Sequence, residues 1–194
     1  MKSYVLVLPI AALIAGCVTG GGYKPASDNL PSLKVSFADR AWTGKAIPKG
    51  EQCKLFGGKG ATPALKINNI PAGANAIIVE FNDASYAPLS TDGGHGKIGF
   101  WVKGDSATLV SIPGDTDKLP SGAFVEAKSR ATGQYASPGY LPPCSGGKGN
   151  TYVAEVKAVY KAKSDKEENM HICKVKNYQE LSRKAANLIA AQVI

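Results

Sequence analysis

Short apolar runs separated by turn-forming residues are the feature that most constrains the fold of this chain. Each run has four to ten residues and is bounded by stretches rich in glycine, proline, asparagine and aspartate. Runs of this length and spacing are typical of the strands of an antiparallel β-sandwich or barrel. The predicted strands are residues 33–37, 64–67, 76–81, 97–102, 107–112, 123–127 and 151–160.

Two of these runs indicate how the strands are buried. In residues 151–160 apolar side chains alternate with polar ones, and Glu155 and Lys157 lie on the face opposite Val156. A period of two predicts one buried and one solvent-facing side. Residues 76–81 are apolar on both faces apart from Glu80, which predicts a central strand.

The C-terminal segment has a different period. After a charged loop over residues 161–169, apolar side chains recur at helical spacing. We therefore predict a C-terminal α-helix over residues 177–192 whose apolar stripe packs on the sandwich. A membrane-surface helix is the alternative, but such a helix carries more basic residues and larger aromatic side chains. The stripe consists of Tyr178, Leu181, Ala185, Leu188, Ile189 and Gln192.

The N-terminus has the order of features found in a secretory signal. Lys2 precedes an apolar run over residues 4–14, which is shorter than the ~20 residues that a membrane-spanning helix needs. The sequence Leu13-Ile14-Ala15-Gly16-Cys17 then resembles the bacterial lipobox. It predicts cleavage of a signal peptide, acylation of Cys17 with palmitate-type chains and attachment to a membrane. Val18, rather than aspartate, follows the cysteine and favours the outer membrane of a bacterial cell envelope.

These features divide the chain into four parts. Residues 1–16 are the predicted signal peptide, and residues 17–32 are the lipidated cysteine with a flexible glycine- and proline-containing tether. Residues 33–162 are the predicted sandwich domain, and residues 163–194 are the charged loop with the C-terminal helix.

The charge balance favours anionic partners. The whole chain has a net charge of +8, of which residues 1–16 contribute only Lys2. The lysines are scattered, without the basic clusters and interleaved aromatic residues of nucleic-acid binding surfaces, so no nucleic-acid partner is expected. For lysines scattered in this way, a merely solvated basic surface is the favoured interpretation, and an anionic partner is the alternative.

Three cysteines remain after lipidation: Cys53, Cys144 and Cys173. In an oxidising compartment two of them are expected to pair, leaving one over. A metal site is not expected, because no CxxC spacing occurs and the two histidines, His95 and His171, are far apart. No cofactor is expected either.

Several short motifs in a fixed order resemble the phosphatidylethanolamine-binding protein (PEBP) family, in its divergent bacterial branch. The resemblance runs from about Val35 to Tyr160 and implies an antiparallel β-sandwich with a small anion-receptive pocket at one end. It places Cys53 and Cys144 in loops at the same end and so implies that they pair, with Cys144–Cys173 as the alternative. The matching pieces are Ile47-Pro48, Cys53, residues 57–65, 70–74 and 76–81, Leu119-Pro120-Ser121-Gly122-Ala123, Tyr135, and residues 141–149 leading into Thr151-Tyr152.

The pocket motifs depart from the family pattern. Only Asp83 is retained from the family's Asp-Pro-Asp-x-Pro motif, His95 stands four residues before the expected pocket histidine, and Asn150 replaces the second histidine. The resemblance therefore implies either a pocket rebuilt with donors from His95, Lys97 or Lys148, or a vestigial one. The predicted ligand-binding residues are Asp83, His95, Lys97 and Tyr135, with a protonated His95 beside Lys97 attracting the anion.

Enzymatic motifs are missing from the sequence. There is no G-x-S-x-G nucleophile motif, and residues 57–60 lack the spacer and Lys-Ser/Thr pair of a phosphate-binding P-loop. We therefore expect a non-enzymatic protein that binds a small anionic or phosphorylated ligand, such as a phospholipid head group. The alternative is an interaction or inhibitor module that docks another envelope protein, and a hydrolase is the least favoured function.

Overall fold

Two antiparallel β-sheets make up the computed structural model, which describes residues 32–161 and the backbone of residues 187–193. In chain order the strands are β1 (Lys34–Phe37), β2 (Leu65–Asn68), β3 (Ala76–Asp83), β4 (Lys97–Trp101), β5 (Ser106–Leu109), β6 (Ala123–Ala127), β7 (Tyr152–Val159) and β8 (Asn187–Val193). One sheet has the order β1-β2-β5, and the other has the order β6-β4-β3-β7-β8. Single turns of 3₁₀-helix occur at Lys54–Phe56, Ala87–Leu89 and Gly133–Tyr135.

All seven strands predicted from the apolar runs are confirmed, with boundaries that differ by a few residues at most. The apolar side chains of both sheets join in one core, in which Ile67 of β2, Val79 of β3, Ile98 of β4 and Val156 of β7 are fully buried. Because these side chains come from both sheets, the two sheets face each other as in a sandwich.

Strand β3 is central, as its sequence predicts. It pairs with β4 on one side and β7 on the other, and all its residues are buried. Glu80, the acidic residue in the interior of this strand, forms ion pairs through its Oε1 with the Nζ atoms of Lys157 (2.6 Å) and Lys97 (3.4 Å). Pairing compensates the cost of burying the carboxylate.

Strand β7 shows the predicted alternation of faces. Its residues are alternately buried and half-buried, with Tyr152, Ala154, Val156 and Ala158 on the inner side. Its full length is paired with β3, from Asp83↔Tyr152 to Ala76↔Val159. This register sets Asp83 directly beside Tyr152 at one end of the sheet.

The predicted C-terminal helix is wrong over the part of it that the structure describes. Residues 187–193 form β8, which pairs antiparallel with β7 from Ala158↔Asn187 to Tyr152↔Val193. The free edge of β7 offers a row of backbone donors and acceptors, and pairing with this edge outweighs the helical spacing of the apolar residues. Residues 177–186, the remainder of the predicted helix, lie outside the described residues.

The Cys53–Cys144 disulfide implied by the family resemblance is present, with 5.2 Å between the two Cα atoms. Cys173, the signal peptide 1–16 and Cys17 lie outside the described residues. Within the described residues, no helix has the length and apolar character needed to cross a membrane.

Candidate ligand cavity

A cavity of about 600 Å³ opens at the end of the five-stranded sheet where β3 ends and β7 begins. We call it the His95 cavity. Its walls combine the end of β3, the loop before β4, the segment around Tyr135 and the loop that leads into β7. Its polar lining residues include Asp83, His95, Arg130, Tyr135, Lys148, Asn150 and Tyr152.

Asp83 is fixed by two hydrogen bonds. One carboxylate oxygen accepts from the backbone N–H of Ser85 (3.0 Å), and the other accepts from the side-chain amide of Asn150 (2.7 Å). Asp83 is buried, so these bonds compensate for water that the carboxylate has lost. The amide of Asn150 is thereby oriented at the cavity wall.

The backbone of His95 continues the sheet pattern beyond β3 and β4. Its N–H donates to the carbonyl of Phe81 (2.8 Å), and its own carbonyl accepts from the N–H of Leu141 (2.7 Å). Glycines on both sides allow this close approach, because a Cβ on Gly94 would collide with the backbone of Leu89. These contacts hold the histidine at the cavity although it precedes the strand where the family pattern expects one.

The imidazole of His95 has a defined tautomer. Its Nδ1 lies 2.8 Å from the carbonyl oxygen of Leu141, which can only accept, so Nδ1 carries the proton. Burial lowers the pKa of His95, although the Leu141 bond and the Asp83 charge oppose the shift. Only 3% of the residue is exposed. The ring is therefore neutral near pH 7 and offers Nε2 to a ligand as an acceptor, which corrects the expectation of a protonated imidazole.

Two tyrosines complete the polar wall. The hydroxyl of Tyr152 accepts from the backbone N–H of Cys144 (3.0 Å), and its ring meets the ring of His95 edge-on at 5.3 Å. Burial raises the pKa of Tyr152, so it stays protonated. Tyr135 ends the 3₁₀ turn Gly133–Tyr135 and is half-buried at the rim.

Two cations reach the cavity. The guanidinium of Arg130 donates to the carbonyls of Pro88 (3.1 Å), Thr91 (2.7 Å) and Asp92 (2.8 Å), so it fastens the loop before His95. Lys148 is exposed at the rim, and no carboxylate in the described part of the chain pairs with it. With Asp83 as the acidic lining residue, the cavity has an excess of positive charge.

Lys97 is the one predicted site residue that the structure does not bring to the cavity. Its ammonium pairs with Asp92 (2.5 Å) and Glu80 (3.4 Å) on the outer face of the sheet. Burial alone would lower the pKa of Lys97, but the Asp92 hydrogen bond and the two carboxylate charges outweigh it and raise the pKa. Lys97 therefore stays protonated, and the carboxylates of Asp92 and Glu80 compensate its charge.

Asp83, His95 and Tyr135 do meet at the cavity, as the resemblance implies. Arg130, Asn150 and Tyr152 also line it, although the sequence did not single them out as ligand-binding residues. For Asn150 a signal existed, because it stands where the family has its second histidine. For Arg130 no signal existed, since its three carbonyl partners are distant in sequence.

The arrangement suits binding through hydrogen bonds. Lys148, the Tyr135 hydroxyl and the Asn150 amide are donors, and the neutral His95 supplies an acceptor for a protonated ligand atom. Apolar contact comes from Leu89 and Leu141. Among the described residues, no group of three His, Cys, Asp or Glu side chains is placed to hold a metal ion.

Comparison with known proteins gives matches among solved structures alone. No family model matches the chain, and no curated protein matches its sequence. A putative phosphatidylethanolamine-binding protein homologue from Chlamydia trachomatis is 18% identical, with 84% of this chain and 94% of that chain covered and a TM-score of 0.47. YbcL of Escherichia coli, described as a new member of the mammalian PEBP family, is 20% identical, with 84% and 98% covered and a TM-score of 0.43. Both names contain the family that the sequence resembles.

Proposed function

We propose that this chain is a divergent bacterial PEBP-like protein, anchored to the cell envelope by lipid on Cys17, that binds a small anionic or phosphorylated ligand without converting it. The observation that supports this best is an open cavity at which the fixed Asp83–Asn150 pair, a neutral His95 and Lys148 converge, and no carboxylate of the described residues pairs with Lys148. A phospholipid head group with one phosphate matches the hydrogen-bond donors, the single acceptor and the apolar side chains that line this cavity.

In this proposal each side chain has a distinct part. Lys148 and Tyr135 donate to the anionic oxygens, and Nε2 of His95 accepts from a protonated oxygen or nitrogen of the ligand. Asp83 acts as a positioning residue, since each of its oxygens accepts a hydrogen bond from the protein and it orients the amide of Asn150. Among the described residues that line the cavity, none is arranged as a nucleophile with an adjacent base, which favours binding over catalysis.

Isothermal titration of the full chain with inorganic phosphate and phosphoethanolamine tests the binding. One charge-assisted hydrogen bond contributes about 1.5–3 kcal/mol, so Lys148→Gln lowers the affinity by about tenfold or more. His95→Ala also weakens binding, whereas Lys34→Gln, an exposed lysine on β1, leaves it unchanged. If the wild type binds neither compound at about 1 mM, which corresponds to roughly 4 kcal/mol, the cavity is vestigial.

The anchor has its own test. Cys17→Ser removes the acyl acceptor, so the variant no longer incorporates a palmitate analogue and loses its attachment to membranes. Incorporation of the label into Cys17→Ser protein contradicts lipidation at this position.

A docking function is the second candidate, favoured by exposed apolar side chains at the cavity mouth. Tyr86 is 52% exposed, Phe56 is 44% exposed and the neighbouring Leu55 is 39% exposed. Exposed aromatic side chains are common at protein interfaces. Retention of an envelope protein by wild type but not by Tyr86→Ser/Phe56→Ser protein, together with unchanged behaviour of Lys148→Gln, supports this alternative.

A further inference from the structure

A second cleft of about 640 Å³ lies beside the His95 cavity, and Phe56 lines both. One wall is the segment 45–56 and the other is the loop 143–150. We call it the disulfide cleft, because Cys53 belongs to the first wall and Cys144 to the second. It adjoins the His95 cavity along a shared wall and has no charged lining residue in common with it; the shared wall consists of Phe56, Ser145, Gly146, Asn150 and Tyr152.

The two walls are joined at three points. The disulfide connects them covalently, and the backbone N–H of Cys53 donates to the carbonyl of Pro143 (2.9 Å). The ring of Phe56 covers Gly146 so closely that a Cβ on this glycine would lie 2.8 Å from the ring. The shape of the cleft therefore depends on these connections between segments that are far apart in sequence.

The lining charge of the cleft has one sign. Lys45 and Lys49 line it, and no aspartate or glutamate is among the described residues that do so. Neither ammonium has a carboxylate partner in the described part of the chain, in contrast to Lys97 on the sheet. The charge of both lysines therefore remains available to an anion, and a concave site focuses it.

The backbone N–H groups of the glycine-rich loop 146–149 are also suited to binding an anion. Gly146, Gly147 and Gly149 have φ values of 63°, 81° and 74°, which glycine adopts without steric cost. Within the described residues, the N–H groups of residues 146–149 donate no hydrogen bond. Successive free amides in turn and left-handed conformations form concave anion sites. Amide and ammonium groups that have no partner among the described residues thus occur together in one cleft.

We propose that the disulfide cleft is a second anion-binding site, which takes a phosphate or carboxylate group of a ligand whose apolar part contacts Ile47, Pro48 and Pro143. The lysines supply the charge, and the glycine amides supply directed hydrogen bonds. Since the disulfide holds the two walls together, binding requires the oxidised protein. The site extends the function beyond the His95 cavity, because its cations, Lys45 and Lys49, do not line that cavity.

Titration of the ¹⁵N-labelled full chain with inorganic phosphate, followed by NMR, tests this site. The amide signals of Gly146, Gly147 and Gly149 shift with phosphate, and Lys45→Gln/Lys49→Gln lowers the fitted affinity by about tenfold or more. Lys45→Arg/Lys49→Arg retains the affinity. The matched control, Lys34→Gln/Lys66→Gln, removes the same charge from the three-stranded sheet and changes the affinity less than about twofold.

Other readouts separate this site from the proposed function. In the Lys45→Gln/Lys49→Gln variant the amide of His95 still responds as in the wild type, and in Lys148→Gln, which weakens the His95 cavity, the signals of Gly147 and Gly149, which line the disulfide cleft alone, still shift. Reduction with dithiothreitol weakens the glycine response. The proposal is overturned if the glycine signals do not move with phosphate, if the control variant loses as much affinity as the cleft variant, or if reduction changes nothing.

Discussion

The chemistry of the His95 cavity depends on which nitrogen of the imidazole carries its proton. The Leu141 carbonyl assigns that proton to Nδ1, and burial keeps the ring neutral. A bare anion therefore finds no donor in His95 near neutral pH, and binding of such an anion improves when acid protonates the ring. The protonated His95 that the sequence predicts as the anion-attracting group therefore occurs only on the acid side of the ordinary histidine pKa.

The lowered pKa of His95 also affects stability. Between this pKa and the unfolded-state value of about 6.5, the unfolded chain binds a proton that the folded chain does not. The contribution of His95 to the free energy of unfolding is therefore fully present above about pH 6.5 and is lost as the pH decreases below this value. We expect urea unfolding to show this loss in the wild type and not in His95→Gln.

NMR titration of the imidazole signals checks the same point directly. The His95 signal should titrate below pH 6.5, and a His171→Gln variant identifies it as the remaining imidazole. Titration at or above the ordinary value would contradict a neutral ring.

The residues of the cavity differ in how far the sequence predicts them. Asp83, His95 and Tyr135 follow from the family resemblance. Lys97 was expected at the cavity because it is close to His95 along the chain, but the β3–β4 register sets it opposite Glu80, where a buried carboxylate needs a cation. The pairing of β3 with β4 determines the face of the sheet on which Lys97 lies, and the sequence near Lys97 does not show this pairing.

At the scale of the elements, the loop between β3 and β4 depends on Arg130. Its guanidinium donates hydrogen bonds to three backbone carbonyls of this loop, those of Pro88, Thr91 and Asp92. The side chain comes from the segment after β6, so it connects two loops at the cavity wall.

Replacing Arg130 by alanine should loosen this loop. Because the side chain is partly exposed, solvent replaces some of the lost bonds, and we expect a loss of about 1 kcal/mol in the free energy of unfolding. Amide hydrogen exchange of residues 88–92 should accelerate. Arg130→Lys keeps the charge but cannot reach three carbonyls, so it should resemble alanine in exchange. Unchanged exchange in both variants would show that the guanidinium does not hold the loop.

The strands and the C-terminal segment show what sequence periodicity can and cannot predict. The run 76–81 and the alternation in 151–160 predict β3 and β7, since burial on one or both faces is written into each strand itself. The secondary structure of residues 187–193 cannot be predicted in this way, because Leu188 and Ile189 fit a helical stripe as well as a strand. The open edge of β7 decides between them, and this edge is a property of the assembled sheet.

At the scale of the whole molecule, the Cys53–Cys144 disulfide links positions 91 residues apart. In the chain-entropy model, closing a loop of this length contributes about 4–5 kcal/mol. We therefore expect Cys53→Ala/Cys144→Ala protein to lose several kcal/mol of unfolding free energy, measured by urea denaturation. Cys173→Ala, which keeps the disulfide, is the matched control. A double variant as stable as the control would show that the disulfide does not contribute to stability.

The same disulfide determines how the protein responds to a pulling force. Strands β2 to β6, five of the eight described strands, lie between the two cysteines, so a load applied through the chain ends passes from Cys53 to Cys144 and bypasses them. At about 3.4 Å per residue, roughly 300 Å of contour length stays hidden until the bond is reduced. The segments that carry Asp83, His95 and Tyr135 all belong to this hidden length. If the chain is anchored at Cys17 as proposed, tension along it would therefore extend the flanking segments and leave those three residues unstretched.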